Sequence, residues 1–241
     1  MKKILIILIF SILATTVNAA TLNQLENGEN AVTFGYGYDY AIGTTSLGYA
    51  RGLSFFNHRF MPYIDLSVPM FKPDLLDYRV KGGVQTSFFN YKGFDISTIV
   101  TPLLVRKTKN EIHTAFSIGT ELGLLIGFVS KSWFAGTEFL YDKSWATRIE
   151  HSDKYKGYYS EAPNGWYKHT AANIRIGLRG GYTIQKTIEI TTSFGISQTG
   201  QLKEYLMIPS YYLVFGVNYR FGTTVQSKST RINPQDTIKK S

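Results

Sequence analysis

From residue 209 to 222 the chain reads P-S-Y-Y-L-V-F-G-V-N-Y-R-F-G. Every second position is large and apolar or aromatic: Tyr211, Leu213, Phe215, Val217, Tyr219 and Phe221. Between them stand Tyr212, Val214, Gly216, Asn218 and Arg220. A period of two over about ten residues is a β-strand whose two faces meet different surroundings. A sheet washed by water on its second face would carry Lys and Glu there. This strand offers Gly, Asn and one Arg, so its second face fits a crowded polar space and its first an apolar medium.

The same alternation recurs upstream. In 31–40, Val32, Phe34, Tyr36 and Tyr38 oppose Thr33, Gly35, Gly37 and Asp39, and in 44–55 Leu47, Tyr49, Leu53 and Phe55 oppose Ser46, Gly48, Ala50 and Gly52. Further alternating segments fall at 60–70, 80–88, 94–104, 112–126, 133–141, 173–182 and 188–197. That makes about ten strands, near the 9–11 residues that a tilted membrane strand needs. Eight or twelve remain the alternative counts. The fold expected is all-β: a closed, antiparallel, up-and-down transmembrane barrel.

The connections sort by length. Starting from one rim, the turns at 56–58, 90–93, 129–131 and 183–186 are all short. Of those at the opposite rim (41–43, 69–77, 106–111, 142–169 and 200–208), four are longer, and 142–169 is much the longest. Short inner turns with longer outer loops are the membrane-barrel pattern. Aromatic residues gather near the strand ends, Phe55, Phe60, Phe88, Trp133, Tyr182 and Phe221 toward the inner rim, and Tyr38, Tyr78, Tyr141, Trp145 and Tyr211 toward the outer. Interfacial girdles have that distribution.

The termini frame this region. Lys2 and Lys3, the apolar run 4–17 and Val17-Asn18-Ala19 read as a secretory signal peptide over 1–19, too short to span a bilayer as a helix. The barrel is assigned 20–222, and 223–241, rich in Ser, Thr and Lys, is read as a flexible periplasmic tail. The chain has no cysteine, which excludes disulfides, thiolate metal sites and a lipobox. Its formal charge of +9 becomes +7 without Lys2 and Lys3. Export argues against nucleic acid as the partner of this basic surface. Outer-membrane lipids and lipopolysaccharide, the barrel-assembly machinery and an extracellular ligand are the partners expected.

Charged residues on the inner face have to be matched within the barrel, because charges withdrawn from water need partners. Asp65, Asp95, Glu121, Glu138 and Glu189 on one side, with Lys81, Arg175, Arg179 and Arg220 on the other, are expected to form a lumenal polar network, with Arg220 near Asp39 across the closing seam. A polar pathway for solutes is the competing use of the same residues, though a barrel of this size leaves little room for one. The 142–169 loop holds Trp145, Arg148, Tyr158, Tyr159, Trp166 and Tyr167, residue types that dominate binding hot spots. Of the four histidines, His58 lies in an inner turn, His113 lies near Glu111 as a candidate acid–base pair, and His151 and His169 belong to the long loop. No catalytic residue, metal spacing or cofactor is assigned.

The segment ending in Tyr219–Phe221 resembles the closing strand of bacterial outer-membrane barrels. The pattern over 31–222 resembles the small opacity-type or OmpA-like-barrel class. That resemblance implies a bacterial outer-membrane location and a structural or surface-interaction role, with 142–169 as the contact region. A narrow, porin-like solute channel is the alternative, and a lipid A-modifying enzyme or protease the second. A soluble periplasmic barrel would bury the apolar face instead and put the Gly-and-charge face in water.

Overall fold

The computed structural model describes residues 25–39, 42–55, 58–70, 77–159, 161, 163–199 and 210–222. The signal peptide and the C-terminal tail expected from sequence lie outside these residues, as do most of the outer connections 69–77 and 200–208.

The strands are β1 (Asn30–Asp39), β2 (Ile42–Arg51), β3 (Leu53–Phe55), β4 (His58–Pro69), β5 (Tyr78–Tyr91), β6 (Phe94–Lys109), β7 (His113–Val129), β8 (Trp133–His151), β9 (Gly165–Ile184), β10 (Ile188–Thr199) and β11 (Ser210–Phe221), with one short helix, α1 (Asp153–Tyr158). All pairings are antiparallel between neighbours in sequence, except where β11 returns to β1 in the register Asn30↔Phe221 to Tyr38↔Leu213. That seam closes the barrel and leaves no open edge.

β2 and β3 are two parts of one barrel strand, because β4 pairs with both (Ala50↔Tyr63, then Leu53↔Phe60), so the barrel has ten strands. The interruption has a local cause. The lead-in residues before β1 pass beneath the strand at Gly52, whose N–H donates to the Glu29 carbonyl (2.7 Å) and whose carbonyl accepts from the Gly28 N–H (2.9 Å). A Cβ on Gly52 would stand 2.0 Å from the Glu26 carbonyl oxygen, so only glycine admits this crossing. Leu25 is thereby buried at the inner mouth.

Burial is inverted relative to a water-soluble barrel. Leu47 is 56% exposed, Ile64 52%, Leu122 53%, Leu178 50% and Phe194 50%, while Ser46, Asp65, Glu121, Arg179 and Ser193 on the alternate positions are buried. Each exposed apolar side chain would gain on leaving water, at about 25 cal/mol per Å², and an apolar belt around a closed sheet is what a bilayer accepts. The soluble-barrel arrangement, with its apolar face inward, is therefore ruled out. At the inner rim Phe89, Phe94 and Phe128 form an edge-to-face chain (6.2 and 5.5 Å between ring centres), and Tyr219 stacks on Phe221 at 6.0 Å.

On one side the barrel is far taller than a membrane crossing requires. β6, β7, β8 and β9 run for 16, 17, 19 and 20 residues. The expected 142–169 loop is largely strand: β8 continues to His151 and β9 begins at Gly165. Two irregularities mark the continuation. The register of β8 against β9 shifts between Ser144 and Ala146, and His169 takes a left-handed φ of 53° beside that shift. Alternation read from sequence loses phase at such a bulge, and above the belt both faces meet polar surroundings, so the apolar contrast that marks a strand fades.

Candidate functional site

The barrel interior is built from the short and charged residues that alternate with the belt. Lys81 on β5 reaches across the lumen to Glu121 on β7, its Nζ donating to Oε2 at 2.6 Å and Oε1 at 2.9 Å, with both side chains almost fully buried. Asp65 on β4 is the cross-strand neighbour of Lys81 and accepts from Ser67 Oγ at 3.0 Å. Beneath them Tyr63 and Thr101 share a hydroxyl bond of 2.5 Å.

A second group joins β8, β9 and β11. Tyr212 donates its hydroxyl to Glu138 Oε1 at 2.7 Å, and Arg179 lies 3.5 Å from Oε2 of the same carboxylate. The Arg175 guanidinium sits over the Tyr212 ring, 4.5 Å from its centre. This crossing depends on glycines: a Cβ on Gly177 would fall 1.9 Å from Tyr212 Oη, and one on Gly195 2.8 Å from it.

Toward the inner mouth Glu189 accepts from Asn218 Nδ2 (2.7 Å), Thr183 Oγ1 (3.3 Å) and Arg220. Asn218 Oδ1 in turn accepts from Thr33 Oγ1 at 2.9 Å, which ties the closing seam together inside the barrel. The acidic partner of Arg220 is therefore Glu189 on β10, and not Asp39 on β1 as the seam alone suggested: the register sets Arg220 opposite Ala31, at the other end of β1 from Asp39. Asp95 accepts from Ser87 (2.5 Å), Asn90 (3.2 Å) and Ser97. At the outer end Asp142 takes Arg106 Nη2 at 2.8 Å and Asn173 Nδ2 at 2.7 Å, and the hydroxyls of Ser117, Thr147 and Thr170 form a chain at 2.8 and 2.6 Å.

The nine residues expected on the inner face thus lie in three connected groups and one local cluster. Tyr212 in the second group, Arg79 opposite Ser67, and the separate Arg106–Asp142 pair at the outer end had not been assigned to the network. Tyr212 was legible as an inward residue from the alternation of the last strand. Asp142 would have been legible had β8 been extended by parity from Phe134. Among the described residues, the buried carboxylates Asp65, Asp95, Glu121, Glu138, Asp142 and Glu189 share the inner face with Arg79, Lys81, Arg106, Arg175, Arg179 and Arg220, and Arg59 follows on the same face at the inner mouth. A hydrogen-bonded, ion-paired interior of this kind fills the barrel. Below it, a cavity of about 580 Å³ opens at the inner mouth between Glu26, Glu29, Arg59, Lys131 and Lys186.

The outer extension carries the aromatic residues picked out from sequence, on different elements. Trp145 and Arg148 are on β8, Trp166 and Tyr167 on β9, and Tyr158 and Tyr159 at the end of α1. Trp145 Nε1 donates to Thr120 Oγ1 (3.1 Å) and its ring meets His169 at 5.8 Å. Trp166 meets Phe116 edge-on at 6.4 Å, and Tyr167 donates to the Pro163 carbonyl at 2.8 Å. Ser152 caps α1, accepting from the Tyr155 N–H at 3.3 Å, while its own hydroxyl donates to the Glu111 carbonyl at 2.7 Å. That bond ties the β8–β9 crossover to the neighbouring β6–β7 turn.

Three of the four histidines, His113, His151 and His169, make ring contacts. His113 faces His151 at 6.4 Å, and His151 stacks on Tyr155 at 5.1 Å. Glu111, considered as a partner of His113, lies 3.8 Å from Lys154 Nζ. His58 opens β4 at the inner rim.

Fold and interior together define a ten-stranded transmembrane β-barrel with an ion-paired, side-chain-filled lumen. No protein-family model and no curated protein sequence matches the chain. Among solved structures it is similar to the β domain of the Bordetella autotransporter BrkA, with 16% identity over 81% of this chain and 99% of that one, at a TM-score of 0.42. No property of that protein is carried over.

Proposed function

We propose that the chain is a bacterial outer-membrane barrel that serves as a rigid anchor in the envelope and holds a surface-contact platform, the upper halves of β6–β9 with the α1 crossover, above the bilayer. The observation that carries this reading is the mismatch between strand length and membrane thickness. β8 and β9, at 19 and 20 residues, are roughly twice what a tilted strand needs to cross. Residues that exceed the crossing serve no purpose in lipid, and here they present Trp145, Arg148, Tyr158, Tyr159, Trp166 and Tyr167. The filled, ion-paired lumen favours anchoring over solute conduction.

Three measurements test it together. Membrane fractionation, with heat-modifiable electrophoretic migration, is expected to place the folded protein in the outer membrane, and a protease added to intact cells is expected to cut within 152–164. Planar bilayers containing the protein are expected to show no steady single-channel current. Recovery in the soluble periplasm would overturn the membrane reading, and a reproducible conductance would replace the anchor with a channel.

A further inference from the structure

On the outward face of the long strands, cations appear where the apolar belt ends. The cross-strand row Val105–Ile118–Ala146–Lys168 is followed, two residues further out, by Lys107–Phe116–Arg148–Trp166. These rows span four strands at about 4.8 Å per strand, and the second alternates cation and aromatic ring. Lys109 and Lys143 lie on the same face above and below it. Glu150, bonded to Arg148 at 2.6 Å, is the single carboxylate on this face among the described residues.

The patch is one-sided. Among the described residues, the outward positions at the outer ends of β1, β4, β5 and β11 are Tyr38, Val68, Tyr78 and Tyr211, with no Lys or Arg. Generic anchoring at a headgroup layer would distribute cations around the whole rim. Among the described residues of these strands they are confined to the ones that also continue upward. Lys107 and Arg148 stand one row above exposed Ile118, Lys168 lies in its row, and exposed Leu122 follows lower on the same face, so a ligand that meets them can keep its acyl chains on the belt.

We propose that this face is a binding site for the phosphorylated headgroup of an outer-leaflet glycolipid, a deepening that rests on the outer-membrane reading above. Lys107, Arg148 and Lys168 take the phosphates. Guanidinium and ammonium groups bind phosphate by charge-assisted hydrogen bonds, and the cations sit where long side chains reach the headgroup plane from the apolar belt. The Phe116 and Trp166 rings provide flat apolar platforms for the sugar, and Ile118 and Leu122 take the chains.

The test uses the full chain folded in zwitterionic detergent, with binding followed by isothermal titration calorimetry of diphosphorylated lipid A and of its dephosphorylated counterpart. The native protein is expected to bind the diphosphorylated form and not the other. The triple variant Lys107→Gln/Arg148→Gln/Lys168→Gln is expected to bind it about a hundredfold more weakly, each cation near an anionic lipid surface contributing close to a factor of five. A control with Lys131→Gln/Lys154→Gln/Lys186→Gln, removing the same charge from the inner turns and α1, is expected to bind as the native protein does. Equal binding of the two lipids by the native protein overturns the site, as does equal affinity of the triple variant and the control. Heat-modifiable migration is recorded throughout. Its retention with no phosphate-dependent binding overturns the headgroup site and leaves the barrel reading standing, while its loss in the native protein overturns the barrel reading itself.

Discussion

Lys81 is the most direct probe of what the lumen does for the fold. Its ammonium is enclosed, lies 2.6 Å from Glu121 Oε2, and sits in register with Asp65. Replacing it with Met keeps most of the side-chain volume but leaves Glu121, about 3% exposed, without its cation. Removing one partner of a buried pair costs about 3–5 kcal/mol, because the remaining charge can neither find water nor a substitute. Glu121→Leu alone leaves Lys81 stranded in the same way, with Asp65 as its remaining neighbour. The double variant Lys81→Met/Glu121→Leu removes both charges of the pair and leaves Asp65 to Arg79 and Ser67, so its cost should fall to about 1 kcal/mol. The cycle then yields a coupling energy of roughly 3 kcal/mol or more. Urea unfolding from lipid vesicles, followed by tryptophan fluorescence and by heat-modifiable migration, measures all four forms. Additive single effects, or a Lys81→Met variant within about 0.5 kcal/mol of the native protein, would refute the view that the interior is an ion-paired filling rather than a wet, loosely screened space.

Other perturbations separate the interior from the belt. Tyr212→Phe deletes only the hydroxyl bonded to Glu138 at 2.7 Å and should cost about 1.5–3 kcal/mol, the range for a hydrogen bond to a charged group; an unchanged unfolding midpoint would show that water serves Glu138 equally well. Gly177→Ala places a methyl group 1.9 Å from Tyr212 Oη and should destabilise by about 1–3 kcal/mol. The same Cβ stands 2.4 Å from the Phe194 carbonyl oxygen, so only part of that loss should be recovered in the Gly177→Ala/Tyr212→Leu background relative to Tyr212→Leu alone, and full recovery would show that the backbone contact relaxes freely. Leu122→Arg, at a position 53% exposed on the belt, should cost about 2–4 kcal/mol in vesicles near the bilayer midplane. Thr114→Arg, on the same strand and face above the belt, should cost almost nothing, and equal costs at the two positions would misplace the membrane boundary.

Strand identity and facing were legible because the side-chain period of a strand is a local property of the pleat. Val32 to Tyr38, Ile188 to Ile196 and Tyr211 to Phe221 declare their faces without reference to any other segment. The inner-face assignment of Lys81, Glu121, Glu138 and Arg175 followed from the same parity. Parity gives no height, however, and which charge meets which depends on the stagger between strands. Arg220 could be placed inside the barrel but not beside Glu189, because that proximity arises from the register of β10 against β11. The outer extension escaped for a different reason. A strand is conspicuous when its two faces meet contrasting media, and beyond Tyr141 both faces of β8 meet polar groups or water, while the bulge at Trp145 moves the phase by one residue. The amino-acid sequence by itself therefore determined a barrel of about ten strands, with eight or twelve still open, that has an apolar outside and a charged inside, since that contrast is written residue by residue. The ion pairing, the height of the β8–β9 hairpin and the one-sided row of cations above the belt were decided only by the tertiary structure, because each depends on the alignment of segments distant in the chain.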